Sequence, residues 1–305
     1  MAGRPALQRM GWTTRDFAKR VWDNSGEDNV FFLAGGIAFN ILLAAIPFFL
    51  LLISGLAYIF NQSTDASLTE VAALVDRLLP PGLKPGQLTI SNILGDIVKA
   101  RGSLGVYSAI GFVWFSTRLF GSLRSVLAEV FDIESERGIV EGKLFDIKVT
   151  VLSTVLVAAY TVLSAYLAFA TSRGVALLGE LGVRQEVMGQ VGYWVGRLVA
   201  FGFIVAMFFS LYKLLPKRRI RWPTALIAAL FTSTLFEAAR NLYTAYVENF
   251  NPGSLYSGTL YALVTVVFWV YYAAFLFILG GEVAQVYELR RVRRLQRTVL
   301  DVPAG

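Results

Sequence analysis

Cysteine and histidine are both absent from this 305-residue chain. Without cysteine there can be no disulfides, thiolate nucleophiles or sulfur-ligated metals. Without histidine the chain lacks the usual general base and the usual zinc or iron ligand. Ser-His-Asp and Cys-His catalysis are therefore excluded within it, and only carboxylate, Lys/Tyr or carboxylate–metal chemistry stays open. Charge is scarce too, at 16% of residues, against about 25% in soluble domains. Apolar residues take its place, at 56% hydrophobic and 14% aromatic, with a mean hydropathy of +0.59. This balance rules out disorder and small secreted scaffolds and points to a polytopic membrane protein. The net charge of +7 is accounted for by cytoplasmic loops and anionic lipid. Nucleic acid would need a readout module, and none is recognisable.

A bilayer core requires roughly 20 apolar residues per helix. Six segments qualify, at about 31–60, 104–131, 147–170, 192–215, 223–247 and 257–287. The first holds no charged residue, and Pro223 suits the first turn of the fifth. Between the first two, Leu68, Val71, Ala72, Val75, Leu78 and Leu79 recur at helical spacing, as do Ile90, Ile93, Leu94, Ile97 and Val98. The predicted fold is thus an all-α integral membrane protein. It is a bundle of six transmembrane helices (30–288), with two short amphipathic helices in the outer loop 64–101. Residues 1–29 read as a surface-lying amphipathic cytoplasmic helix, and 289–305 as a basic cytoplasmic tail.

Orientation follows from the lysines and arginines between spans. One alternating set of segments holds 18 of them, the other six. The excess marks the cytoplasmic side, so both termini face the cytoplasm, as an even number of spans requires.

Ionisable residues inside spans are costly and are functional candidates by default. Arg118 lies mid-span, and Tyr107, Gly111, Trp114, Ser122, Ser125 and Glu129 share its stripe. On the fifth span Ser233, Glu237, Arg240, Asn241, Thr244 and Glu248 share one face. Asn40 stands in the first span on one face with Gly36 and the helix-kinking Pro47. Arg118 has no acidic neighbour at i±3, and none at i±4. It needs a carboxylate from another helix, a hydrated cavity or an anionic ligand, and Glu237 is the expected partner. The expectation is one polar cavity of Asn40, Arg118, Glu237, Arg240 and Asn241 between spans one, two and five. Glu237 with Arg240, three apart, could instead pair locally as a packing device. Arg197, near a helix end, is expected to snorkel. Lys217, Arg218, Arg219 and Arg221 read as a topology signal and headgroup contact. Glu282 and Gln285 follow Gly280 and Gly281 near the cytoplasmic end of span six.

The run Leu33 to Leu52 (LAGGIAFNILLAAIPFFLLL) resembles the first-helix signature of the YihY/BrkB family of bacterial inner-membrane proteins. Leu104 to Phe131, with Trp114, Ser116, Arg118, Leu119 and Phe120, is similar to its second helix. LYKLLPKRRIRW (Leu211 to Trp222) resembles the family's turn between helices four and five. Trp269, Tyr271, Leu279, Gly280 and Glu282 resemble its C-terminal ending. The chain departs from the family at Tyr256-Ser257-Gly258, where Tyr-Gly-Ser is usual. The resemblance implies a six-helix inner-membrane protein whose members have been labelled a tRNA-processing ribonuclease, a serum-resistance factor and a transporter. The ribonuclease label is rejected here. A nuclease wants histidine acids or a two-metal carboxylate cluster, and Asp132, Glu134, Glu136 and Glu141 merely alternate along a short loop.

These residues favour a transporter or flippase-like protein, not an enzyme, handling an anionic lipid or amphiphile. No GxxxxGK[ST] loop is present, so it would not hydrolyse ATP. Glu237 or Glu129 could carry a coupling proton. The alternative is a structural or assembly factor without transport. No cofactor or metal is expected. The expected partners are anionic membrane lipids, with a second copy or an envelope protein compatible and no nucleic acid. The topology is directly testable in this cysteine-free chain. Cysteines placed at Ser67 and Gln87 should react with an impermeant thiol reagent in whole cells, and one at Thr298 should not. The reverse pattern would overturn the orientation.

Overall fold

Apolar helix-forming residues dominate the long runs, and in a lipid environment every backbone N–H and C=O must be satisfied within the segment. A computed structural model shows the outcome for residues 6–59, 104–133, 138, 140–155, 185–250 and 259–300. Seven helices and no strands occur among the described residues. They are α1 (Ala6–Glu27), α2 (Val30–Ile59), α3 (Leu104–Val130), α4 (140–155), α5 (Gln185–Leu214), α6 (Trp222–Phe250) and α7 (Thr259–Leu300).

Three of these are long and apolar enough to cross a membrane, at Trp194–Leu214, Trp222–Tyr246 and Val264–Arg293. The pair Arg15–Glu27 and Val30–Ala45, bent by 65°, would make a fourth. The described residues therefore establish an all-helical membrane protein with three or four such helices, short of the six expected. The outer loop 64–101, with its two expected amphipathic helices, lies outside the described residues, as does most of the third span. α7 continues to Leu300, so most of the expected basic tail is helical and extends the last helix. Nothing in Tyr287–Leu300 breaks a helix, since proline first returns at Pro303.

The bend between α1 and α2 is made at Asn29, whose φ of 50° lies in the left-handed region that asparagine tolerates better than most residues. Its carbonyl accepts from Phe32 N and Leu33 N, starting α2 afresh in a new direction.

α7 is the central element. It packs against α1, α2, α3 and α6, while α2 pairs with α3 and α5 with α6. Two helix pairs thus sit on either side of one long helix. The α2–α3 contact includes Phe48 on Phe112, at 5.7 Å between ring centres. Phe31 of α2 stacks on Phe275 of α7 at 5.1 Å. α1 docks through Val21 onto Val283 and Val286, with Phe17 beside them.

The tightest junction joins α5, α6 and α7. The Tyr212 hydroxyl, fully buried, donates to the Phe277 carbonyl at 2.6 Å and lies 2.8 Å from Thr232 Oγ1. Its only proton is committed to Phe277, so Thr232 is the donor in the second bond. The Phe277 carbonyl, and that of Leu276 which Thr232 also approaches, are open because Gly280 follows one turn on without a side chain, while Gly281 lets Val130 and Leu127 of α3 come close. A Cβ at Gly280 would collide with Thr232 Oγ1 and the Tyr212 hydroxyl. Gly280→Ala should therefore lower stability by about 1–3 kcal/mol, the usual penalty of overpacking. Gly35→Ala, which meets nothing within 4 Å, should not. Thermal unfolding of the two variants in detergent makes the comparison.

Candidate functional site

Of the expected stripe on α3, Gly111 and Ser122 are half-buried, the side chain of Tyr107 lies outside the described residues, and the other members form an open face. Trp114, Arg118, Ser125 and Glu129 are exposed, whereas Phe120, Leu123, Leu127 and Val130 face the core. Arg118 stands about 20 Å of helix from either end of α3 at about 1.5 Å per residue. It makes no ion pair among the described residues, whereas Arg124, six residues on, reaches Asp146 of α4 at 3.5 Å. One turn before Arg118, the ring of Trp114 carries Lys143 Nζ of α4 at 5.3 Å. An aromatic ring and two cations thus mark this open face. Asn40 of α2 is half-buried and donates to the Gly36 carbonyl of its own helix at 2.9 Å.

The second polar group lies between α5 and α6. Glu237 sits between two guanidinium groups, with Arg197 Nη2 at 3.0 Å and Arg240 Nη1 at 3.9 Å. All three side chains are half-buried, Asn241 beside them is exposed, and Ser233 is fully buried. Glu237 and Arg240 thus come together as expected of a local pair, but the cation closest to Glu237 is Arg197, not Arg118. Arg197 does not simply snorkel away. It is forty residues from Glu237, so no spacing rule could reveal the contact. α3 and α6 are not among the closely packed helix pairs, and α7 touches both.

At the turn between α5 and α6, Lys217, Arg218, Arg219 and Arg221 are all exposed. Arg218 lies 4.0 Å from Glu288 of α7. Lys213 holds the turn closed by donating to the Ile220 carbonyl, with its ammonium 5.3 Å from the centre of the Trp222 ring.

The same end of the bundle holds a group that sequence reasoning passed over as minor. Glu282 is completely buried. Asp28 and Asn24, from the α1–α2 bend, stand beside its carboxyl, and Asp132 lies within electrostatic range. Gln285, one turn on, accepts from Asn24 at 2.9 Å and donates to Asp132 at 2.7 Å. Two signals could have raised its priority: the preceding glycine pair, which admits neighbouring helices, and its place in the family's C-terminal ending. No group of three or more acidic residues among the described residues is arranged to hold a metal ion.

The pattern of the Virulence factor BrkB family matches residues 21–300. The chain belongs to that family. All the polar groups just described fall within the BrkB region, and the resemblance in the helix signatures is thereby confirmed. Among its relatives, the UPF0761 membrane protein of Pelodictyon phaeoclathratiforme is 26% identical over 271 residues, covering 88% of this chain and 59% of the relative. That of Pseudoalteromonas atlantica is 22% identical over 275 residues, covering 90% and 86%. That of Psychromonas ingrahamii is 24% identical over 288 residues, covering 94% and 92%. The chain therefore spans nearly the whole of some BrkB relatives but little more than half of others, such as the 56% covered in the Chlorobium chlorochromatii protein. Each is named only as a membrane protein. No solved structure matches the chain.

The two arginine environments predict opposite responses. Glu237→Gln leaves Arg197 and Arg240 without their shared carboxylate and should destabilise this BrkB protein by about 1–3 kcal/mol, less than the loss of a fully buried pair because all three groups are partly exposed. Arg118→Met removes no ion pair among the described residues and should not lower stability. Thermal unfolding in the same detergent reads both.

Proposed function

We propose that this protein is a non-ATP-hydrolysing carrier, flippase-like in action, for an anionic lipid or amphiphile in the bacterial inner membrane. The observation that carries this reading is Arg118. It stands mid-helix, on an exposed face, with no carboxylate paired to it among the described residues. A guanidinium at bilayer depth is costly unless water or an anion accompanies it, by about 3 kcal/mol on insertion scales. A phosphate or carboxylate headgroup supplies that counter-charge and accepts two parallel hydrogen bonds from the guanidinium fork. Lys143 offers a second cation and Trp114 a flat apolar flank for the acyl or carrier portion. Asn40 on the neighbouring α2 and Glu237, Arg240 and Asn241 on α6 are further polar stations in this scheme. The exposed Lys217, Arg218, Arg219 and Arg221 are the headgroup contact at the basic end, which the charge bias puts in the cytoplasm along with both termini.

A second reading has its own observation. Glu237 is already matched by protein cations, which suits a purely structural or assembly role for the α5–α6 pair. Vesicle experiments separate the two. In proteoliposomes carrying a labelled anionic phospholipid, the wild-type protein should accelerate exchange between leaflets. Arg118→Gln should cut that rate by about tenfold, the loss of about 1.4 kcal/mol, while folding is retained. Neutralising Lys217, Arg218, Arg219 and Arg221 should weaken the preference for anionic over zwitterionic lipid. Absence of exchange by folded wild-type protein across several anionic lipids would leave the assembly reading in place, and RNA cleavage by metal-free protein would sink both.

A further inference from the structure

Glu282 poses a problem that the proposed headgroup path does not solve. Its side chain is fully buried, and neither Oε1 nor Oε2 makes a hydrogen bond of good geometry. An ionised carboxylate in that condition is among the costliest groups a protein can hold. The charged groups that act on it make matters worse, because both are acidic: Asp28 from the bend between α1 and α2, and Asp132 from the end of α3. The remaining polar neighbours, Asn24 and Gln285, are neutral, and Gln285 is already engaged with Asn24 and Asp132.

Three carboxyl groups from three separate elements thus meet with no lysine or arginine among the groups acting on Glu282. Like charges this close cannot all be ionised without a compensating positive charge. A divalent ion in a cage of carboxylates does not fit, since no three acidic residues here are spaced to enclose a metal. What fits is charge uptake by a pair.

We propose that Glu282 and Asp28 form a binding site for one monovalent cation, a proton or an alkali ion, whose occupancy holds the α1–α2 bend against α7. Occupied, the site leaves the pair one shared negative charge in place of two and lets Asn24 and Gln285 fasten α1 to α7. Empty, it leaves two anions facing each other across the α1–α7 contact, next to Asp132. Repulsion then opposes the hold of α1 on α7, which is made by Val21, Val283 and Val286 with Phe17 and Leu279 packed against them and Arg290 over the Phe17 ring. If the carrier reading is correct, this is its coupling site, in place of Glu237, which two arginines already neutralise, and Glu129, which is exposed. The cation site stands apart from that reading, because its test needs no transported substrate.

The experiment uses the full chain in nanodiscs. Cysteines replace Lys19 on α1 and Leu289 on α7, both exposed, and spin labels on them report the separation of the two helices. One arm varies pH between about 5 and 9, the range over which a perturbed carboxyl can titrate, at constant ionic strength. The other arm replaces choline by sodium or potassium at fixed pH. The wild-type distance distribution should shift in one arm: a pH response identifies the proton, an alkali response the metal ion. Glu282→Gln should abolish that response and leave the docked distance at all conditions. Asp28→Asn, at the more accessible position, should abolish it too and covers the case in which the buried variant fails to fold. A wild-type distance unchanged in both arms, or a response that survives either folded variant, would overturn the site. Such a failure leaves the exchange of anionic lipid by Arg118 untouched, and loss of lipid exchange leaves this readout unaffected.

Discussion

The bond from the Tyr212 hydroxyl to the Phe277 carbonyl is the contact on which the rest of the bundle depends. It depends on Gly280, where a side chain would fall on the Tyr212 hydroxyl. A carbonyl inside a helix already accepts one bond from the residue four positions on, and its second lone pair is normally shielded by neighbouring side chains. The missing side chain at Gly280 exposes that lone pair to the Tyr212 hydroxyl from α5, which Thr232 of α6 meets in turn. With Tyr212 stacked on Phe277 at 4.9 Å between ring centres, three helices are fixed at one level. In lipid, where burial of apolar surface drives helix association weakly, small residues, close backbones and interhelical hydrogen bonds supply the specificity. α7 is thereby clamped to the α5–α6 pair on one side and remains free to receive α1, α2 and α3 on the other.

That arrangement sorts the charged residues of the spans by how they are neutralised. Glu237 lies where α5 and α6 run side by side, so Arg197 and Arg240 reach it. Arg124 lies where α4 crosses α3, so Asp146 reaches it. Arg118 is on the outward face of the same α3 and has no such neighbour among the described residues. Glu282 is on the inward face of α7 and meets only its own sign. The first two sites are complete within the protein. Among the described residues the other two are unmatched, one without an anion and the other without a cation, and unmatched charges within a span are functional candidates.

Much of this was legible in the residues, and what was not has a common cause. The uncharged run from Phe31, the i, i+4 stripes on α3 and α6, and the charge imbalance between alternating loops are local patterns, and helices follow from them directly. The stripe of Trp114, Arg118, Ser125 and Glu129 does share a face. Which way that face points was not legible, because it depends on which side of α3 the second and seventh helices occupy. That Glu237 pairs with Arg197 rather than with the expected Arg118 was not legible for the same reason: forty residues separate Arg197 from Glu237, and no periodicity links one helix to another. Glu282 was visible only as an acidic residue near a helix end. Its burial comes from the bend at Asn29, which brings Asp28 and Asn24 back over it.

The sequence by itself determined the solvent, the secondary structure and the chemistry that is excluded. Hydrophobic excess demands lipid, lipid demands helices, and the lack of histidine and cysteine removes whole classes of catalysis whatever the fold. The tertiary structure decided which charges are matched and which are left open. That is a matter of helix rotation and neighbour order, set by a few close contacts such as Gly280 against Thr232. A rotation of one helix by a single residue step, about 100°, would exchange an open arginine for a buried one without altering the composition at all.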